Sequence, residues 1–186
     1  MLLRSKNAPE ADRLPGPKYR VIQPVPATAP SAPKCALQHG MPQKVYEFRR
    51  GSELYGYTYR FDNPHVAAVL MPCVFACSRR DGALKWIVRQ YHDPAPLYLP
   101  AGQLNKGAAC LIVKDEAHAD RLYRALIRSY PEPQLNIVSW HGGPGCFRRA
   151  SWHWLEGFTV TLQDDLGVKR HMIERYLRVS ATRVFG

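Results

Sequence analysis

Three short segments carry the residues best placed for chemistry. Lys114-Asp115-Glu116 follows the apolar run 109–113, His141-Gly142-Gly143 follows the run 136–140, and Gln163-Asp164-Asp165 follows the run 158–162. Short apolar runs of this kind suit strands buried in a parallel sheet. In such sheets ligands collect beyond the carboxyl ends of the strands, so the three segments are predicted to share one edge. The glycine-bearing loop His141-Gly142-Gly143-Pro144-Gly145 lies just ahead of Arg148 and Arg149. Backbone amides of such a loop can cradle a phosphate, although a tight turn alone would also call for the glycines.

Other constellations are weaker. Cys35-x3-His39 and Cys73-x3-Cys77 together offer four zinc-type ligands, but the usual two-residue knuckle gap is missing. If residues 66–77 form a strand, Cys73 and Cys77 share a face about 13 Å apart, too far for one ion. Core cysteines are the plainer reading. Arg121, Arg124 and Arg128 recur at helical spacing, and Lys169, Arg170, Arg175 and Arg178 decorate a final helix. Each is individually a solvated cation, but with Arg148 and Arg149 they suggest a positive sheet edge able to track a phosphate backbone. Trp140, Trp152 and Trp154 near the loop read as core, with an exposed indole able to stack a base as the alternative. No Ser/His/Asp or Cys/His nucleophile arrangement and no Walker-type Gly-Lys-Ser/Thr is present.

The elements that must position these residues fall into two halves. Residues 45–48, 55–61, 66–77 and 84–89 alternate as strands, with turns at Arg50-Gly51-Ser52 and Asp81-Gly82. They predict a small, mainly antiparallel subdomain over 43–105, with Pro72 interrupting its third strand region. Over 106–186, strands alternate with a helix carrying Ala119, Leu122, Tyr123, Leu126 and Ile127 and a last helix carrying Met172, Ile173, Tyr176 and Leu177. That order predicts a βαβ parallel sheet with right-handed crossovers. Residues 1–42 are proline-rich and aperiodic, an extended arm laid on the body or on a partner. The fold class is therefore α+β grading into α/β.

Composition narrows the partners. The chain has 186 residues, 26 basic against 15 acidic, for a net charge of +11. Such an excess favours a polyanion through phosphate contacts and counterion release. No stretch reaches the roughly 18 apolar residues of a membrane span, and residues 1–6 lack a secretory core. The expected location is cytoplasmic, with the five cysteines reduced.

The order of these pieces resembles the Toprim domain of phage and plasmid primases. The arm 21–30, Tyr46-Glu47-Phe48, Leu54-Tyr55-Gly56-Tyr57, Arg60-Phe61-Asp62, Leu70-Met71-Pro72, Trp86 and Pro96-Leu97-Tyr98 are similar to the segments that precede Toprim in those proteins. The resemblance runs from about residue 20 to the end of the chain. It implies an acidic site holding Mg²⁺, with a strand ending Glu-Gly before a second acid, and a later Asp-x-Asp. Here Lys114 stands at the principal glutamate, Asp115 at the glycine and Glu116 at the second acid, while Gln163-Asp164-Asp165-Leu166 is a shortened or substituted Asp-x-Asp.

An ammonium at Lys114 repels Mg²⁺ and cannot coordinate it. It can pair with Asp164 or Asp165, or touch a phosphate directly. The resemblance thus implies a degenerate, non-catalytic, nucleic-acid-binding accessory protein of plasmid or phage replication or of a mobile-element complex, without cofactor. The expected contacts are Lys114, Arg121, Arg124, Arg128, Arg148, Arg149, Lys169 and Arg170, with the loop His141-Gly142-Gly143. Two alternatives stay open. One is a Mg²⁺-dependent primase or nuclease using Glu116, Asp164 and Asp165, or Asp115 in a shifted site. The other is a protein-interaction subunit within a ribonucleoprotein. DNA and RNA are equally compatible, and no membrane is expected.

Overall fold

The computed structural model describes residues 18–33, 40–63, 66–179 and 183–185. Among the described residues, ten strands form two five-stranded sheets, accompanied by two α-helices. The first holds β1 (Tyr19–Val21), β2 (Lys44–Arg50), β3 (Glu53–Asn63), β4 (Val66–Ser78) and β5 (Leu84–Val88), all antiparallel. The second holds β6 (Leu97–Tyr98), β7 (Ala109–Ile112), β8 (Leu135–Trp140), β9 (Thr159–Leu162) and β10 (Arg183–Phe185), in the order β10-β9-β7-β8-β6. All its neighbours are parallel except the short β6, which runs antiparallel to β8. The α+β expectation holds.

Four features differ from the sequence reading: β6 leaves the expected antiparallel half to join the second sheet, β10 adds a further parallel strand, and two more lie in the first sheet. Pro72 does not break its strand: β4 runs unbroken past it and pairs with both β3 and β5. The Pro72 carbonyl accepts from Arg89 N–H at 3.0 Å, just beyond the end of β5. A strand residue presents its N–H and C=O to the same side, so the donor proline lacks falls at that margin. The arm also contributes a strand, β1, which pairs with residues 76–78 where β3 leaves β4. Gly56 marks the departure. A Cβ there would sit 2.8 Å from the Cys73 carbonyl oxygen and 2.9 Å from a Tyr91 ring carbon.

Side-chain alternation builds three packed layers. On β7, Cys110 and Ile112 face a core with Trp140, Trp152, Trp154, Leu155 and the α2 residues Ile173 and Leu177; helix α2 spans Arg170–Val179. Leu111 and Val113 face the other way, toward Ala119 of α1 (Glu116–Ser129) and toward Tyr46, Phe48, Val74 and Tyr91 of the first half. The parallel sheet is therefore sandwiched between α2 on one face and α1 plus the first sheet on the other. The outer face of the first sheet carries Tyr59, Phe61 and Cys73, with Trp86 packed against them. The arm lies over it: Trp86 Nε1 donates to Pro30 O at 2.7 Å, and the Tyr59 hydroxyl donates to Pro33 O.

Candidate functional site

The three chemistry-bearing segments do follow the carboxyl ends of adjacent parallel strands, β7, β8 and β9. Their side chains then diverge. Lys114 Nζ reaches Asp165 Oδ2 at 2.9 Å across the β7–β9 pair, in an exposed ion pair. The hydrogen bond and charge of Lys114 hold the Asp165 carboxyl below its ordinary range, and Asp165 raises Lys114 in return. Asp115 starts α1: its Oδ1 accepts from His118 N–H at 2.6 Å, an N-cap contributing about 1 kcal/mol. Asp164 is exposed.

Glu116 turns inward. It is 2% exposed and lies 3.2 Å from His141 Nδ1, whose ring is also buried. His141 Nδ1 also meets Thr58 Oγ1 at 3.3 Å, and Thr58 meets the Tyr91 hydroxyl at 3.3 Å. Burial keeps the Tyr91 hydroxyl well above the ordinary phenol range, so it remains a neutral donor. The rings of Phe48 and Tyr91 stand edge-on to the imidazole. This chain of polar groups ties α1 and β8 to the first sheet in a buried interface, where satisfied networks rigidify and orphaned ones are costly.

Glu116 thus does not converge with Asp164 and Asp165, as a Mg²⁺ site would require. Among the described residues no three His, Cys, Asp or Glu side chains are grouped to hold a metal ion. For the zinc set, Cys35 and His39 lie outside the described residues; Cys73 is buried beside Tyr59 and Cys77 is half-buried. In the loop, Gly142 and Gly143 adopt φ of 87° and 72°. The Gly143 carbonyl accepts from Trp140 Nε1 at 2.7 Å and from Cys146 N–H at 3.0 Å. A tight turn fully accounts for these glycines.

The cations do not form one margin. Arg121, Arg124 and Arg128 belong to α1, while Arg170, Arg175 and Arg178 belong to α2, on opposite faces of the sheet. Several are engaged: Arg124 with Asp120, Arg149 with Asp93, and Arg170 and Arg178 with Glu174. Arg121, Arg128, Arg148, Lys169 and Arg175 make no ion pair with a carboxylate among the described residues.

Sequence reasoning did not single out Thr58, Tyr91, His153 or His171. Thr58 shares the face of Gly56 and Arg60 in a strand whose aromatics alternate on the other face, so its pattern does not mark it as inward. His153 and His171 are brought near one another by tertiary packing and have no local signature. No protein-family model matches the chain, and no curated protein or solved structure matches it.

Proposed function

We propose that this chain is a Toprim-like nucleic-acid-binding accessory protein without metal-dependent catalysis. The observation that carries this reading is the Lys114–Asp165 ion pair at the strand ends. An ammonium there neutralises the carboxylate that a Mg²⁺ site would need, and Glu116, the other acid of the motif, is committed to His141 in the interior. The net charge of +11 and the arginines free of carboxylate partners supply the attraction for phosphate. No helix of the described residues is long and apolar enough to cross a membrane; the reading places the protein in the cytoplasm, on DNA or RNA within a larger replication or mobile-element complex.

The test compares binding of labelled nucleic acid in Mg²⁺ and in EDTA, alongside assays for primer synthesis and for cleavage. Equal affinity in both, with no product, supports the reading. A product that appears only with Mg²⁺ and disappears in Asp164→Asn overturns it in favour of an enzyme.

A further inference from the structure

A cleft of about 790 Å³ lies between α2 and the segment 144–155, which forms two short 3-10 helices at Pro144–Arg149 and Trp152–Leu155. Its size falls in the range of about 300–1,000 Å³ typical of pockets that take small organic groups. The lining divides by chemistry. Ala150, Trp152, Met172 and Tyr176 form an apolar floor, and Arg148, His153, His171 and Arg175 form an exposed rim. Among the described residues no carboxylate lines it. Glu174, the acid nearest along the helix, is taken by Arg170 at 3.0 Å and Arg178 at 3.8 Å, leaving Arg175 without an ion pair among the described residues. Arg148 lies over the Phe147 ring, 5.7 Å from its centroid, which holds the guanidinium at the rim.

A second depression of about 610 Å³ adjoins the cleft at His153, which lines both, and is also lined by Arg50, Lys106 and Trp154. Among the described residues, Glu156 is the only carboxylate lining either depression. Arg50 is held over the Trp154 indole at 5.4 Å. A cationic path therefore leads from α2 past His153 to the β2–β3 turn, with apolar surface along its floor.

We propose that this groove seats a single strand of nucleic acid, with an unstacked base against the apolar floor of the cleft and flanking phosphates on Arg148 and Arg175. The proposal rests on the nucleic-acid reading above and assigns it a strand state and a place. A duplex keeps its base faces stacked and offers only its backbone and base edges, which leaves an apolar floor without a π-face to cover it. A single strand offers both a π-face and phosphates, the two chemistries this groove presents together. The continuation beyond His153 favours a strand over a lone nucleotide, whose phosphate would need only the first cleft.

The test is anisotropy with a labelled single strand of about 15 nucleotides and a duplex of the same length, for the wild type and for Arg148→Ala/Arg175→Ala. Both residues are exposed, and circular dichroism checks that the variant stays folded. The expected result is single-strand affinity lowered on the order of tenfold, with the salt slope shallower by about 1.4, or about 0.7 per lost phosphate contact. Duplex binding should change little. A 4-thiothymidine placed in the strand should crosslink within 148–153 or 171–176. Unchanged single-strand binding in the variant, or an equal loss on duplex, overturns this inference alone. So does complete competition by a nucleoside monophosphate. Failure of the wild type to bind any nucleic acid overturns the broader reading with it.

Discussion

Replacing Glu116 by alanine separates two roles for this carboxylate, because they predict effects of opposite sign. In the structure Glu116 is 2% exposed, and its partner His141 has a side chain 4% exposed. Removing the carboxylate leaves the imidazole Nδ1 with only Thr58 Oγ1, at 3.3 Å. Orphaning a buried hydrogen-bonding group costs about 1–3 kcal/mol, and the Glu116–His141 contact at 3.2 Å lies within ordinary hydrogen-bond range. For a chain of this size each kcal/mol moves Tm by about 2–4 °C, so the midpoint should fall by about 2–12 °C. Thermal unfolding followed by circular dichroism measures this directly. Glu116→Gln, which keeps the shape and an acceptor, should lose less. Combining Glu116→Ala with His141→Ala should be less than additive, because both remove the same contact. A carboxylate facing other acids in an empty metal site would behave oppositely, since its removal relieves repulsion. A Tm for Glu116→Ala equal to or above that of the wild type would refute the structural role.

Three further outcomes are expected. The Lys114–Asp165 pair contributes stability only while both groups are charged. The contribution is present above the unfolded value of Asp165, about 3.9, and below that of Lys114, about 10.4. It is lost as pH falls through the depressed value of folded Asp165, or rises through the raised value of folded Lys114. A carboxyl NMR titration should therefore give Asp165 a low midpoint that climbs in Lys114→Ala; an identical midpoint in the two proteins refutes the pair. Burial pushes the Cys110 thiol up to about 11 and raises that of Cys73. Alkylation of the native protein near pH 8, read by peptide mass spectrometry, should thus mark Cys77 and Cys146 well before these two; early labelling of Cys110 contradicts the packing. Gly56→Ala should destabilise by about 2 kcal/mol or more, because the new methyl meets backbone at 2.8 Å. Gly51→Ala, at φ of 63° with open space around it, should cost about 1 kcal/mol; equal denaturant midpoints for the two variants would contradict the close approach at Gly56.

What was legible in the sequence depended on the range of the interaction. Period-two runs sufficed for β2 to β5, short apolar runs for β7 to β9 and helical spacing for both helices, because each pattern is local. The placement of segments 114–116, 141–143 and 163–165 at adjacent strand ends followed from strand order alone, and the pairing of Lys114 with Asp165, 51 positions apart, was among the options foreseen. The direction of Glu116 was not legible. It depends on Asp115 taking the N-cap, which fixes where α1 begins, and on a histidine 25 residues away waiting in the interior. β6 and β1 are too short to carry a period, and β1 sits among prolines that argue against a strand. Pro72 misled because the rule against proline in central strands concerns a missing donor, and here that donor falls beyond the neighbouring strand. The division of cations between two faces required knowing which core each helix covers.

The most direct test of the central claim is the salt dependence of binding to labelled single-stranded DNA, duplex DNA and RNA by fluorescence anisotropy. Binding at low salt should weaken linearly in log–log form, with the single strands preferred and Mg²⁺ making no difference beyond its ionic strength. Absence of binding to all three at low salt would contradict it and leave the cationic surface to a protein partner.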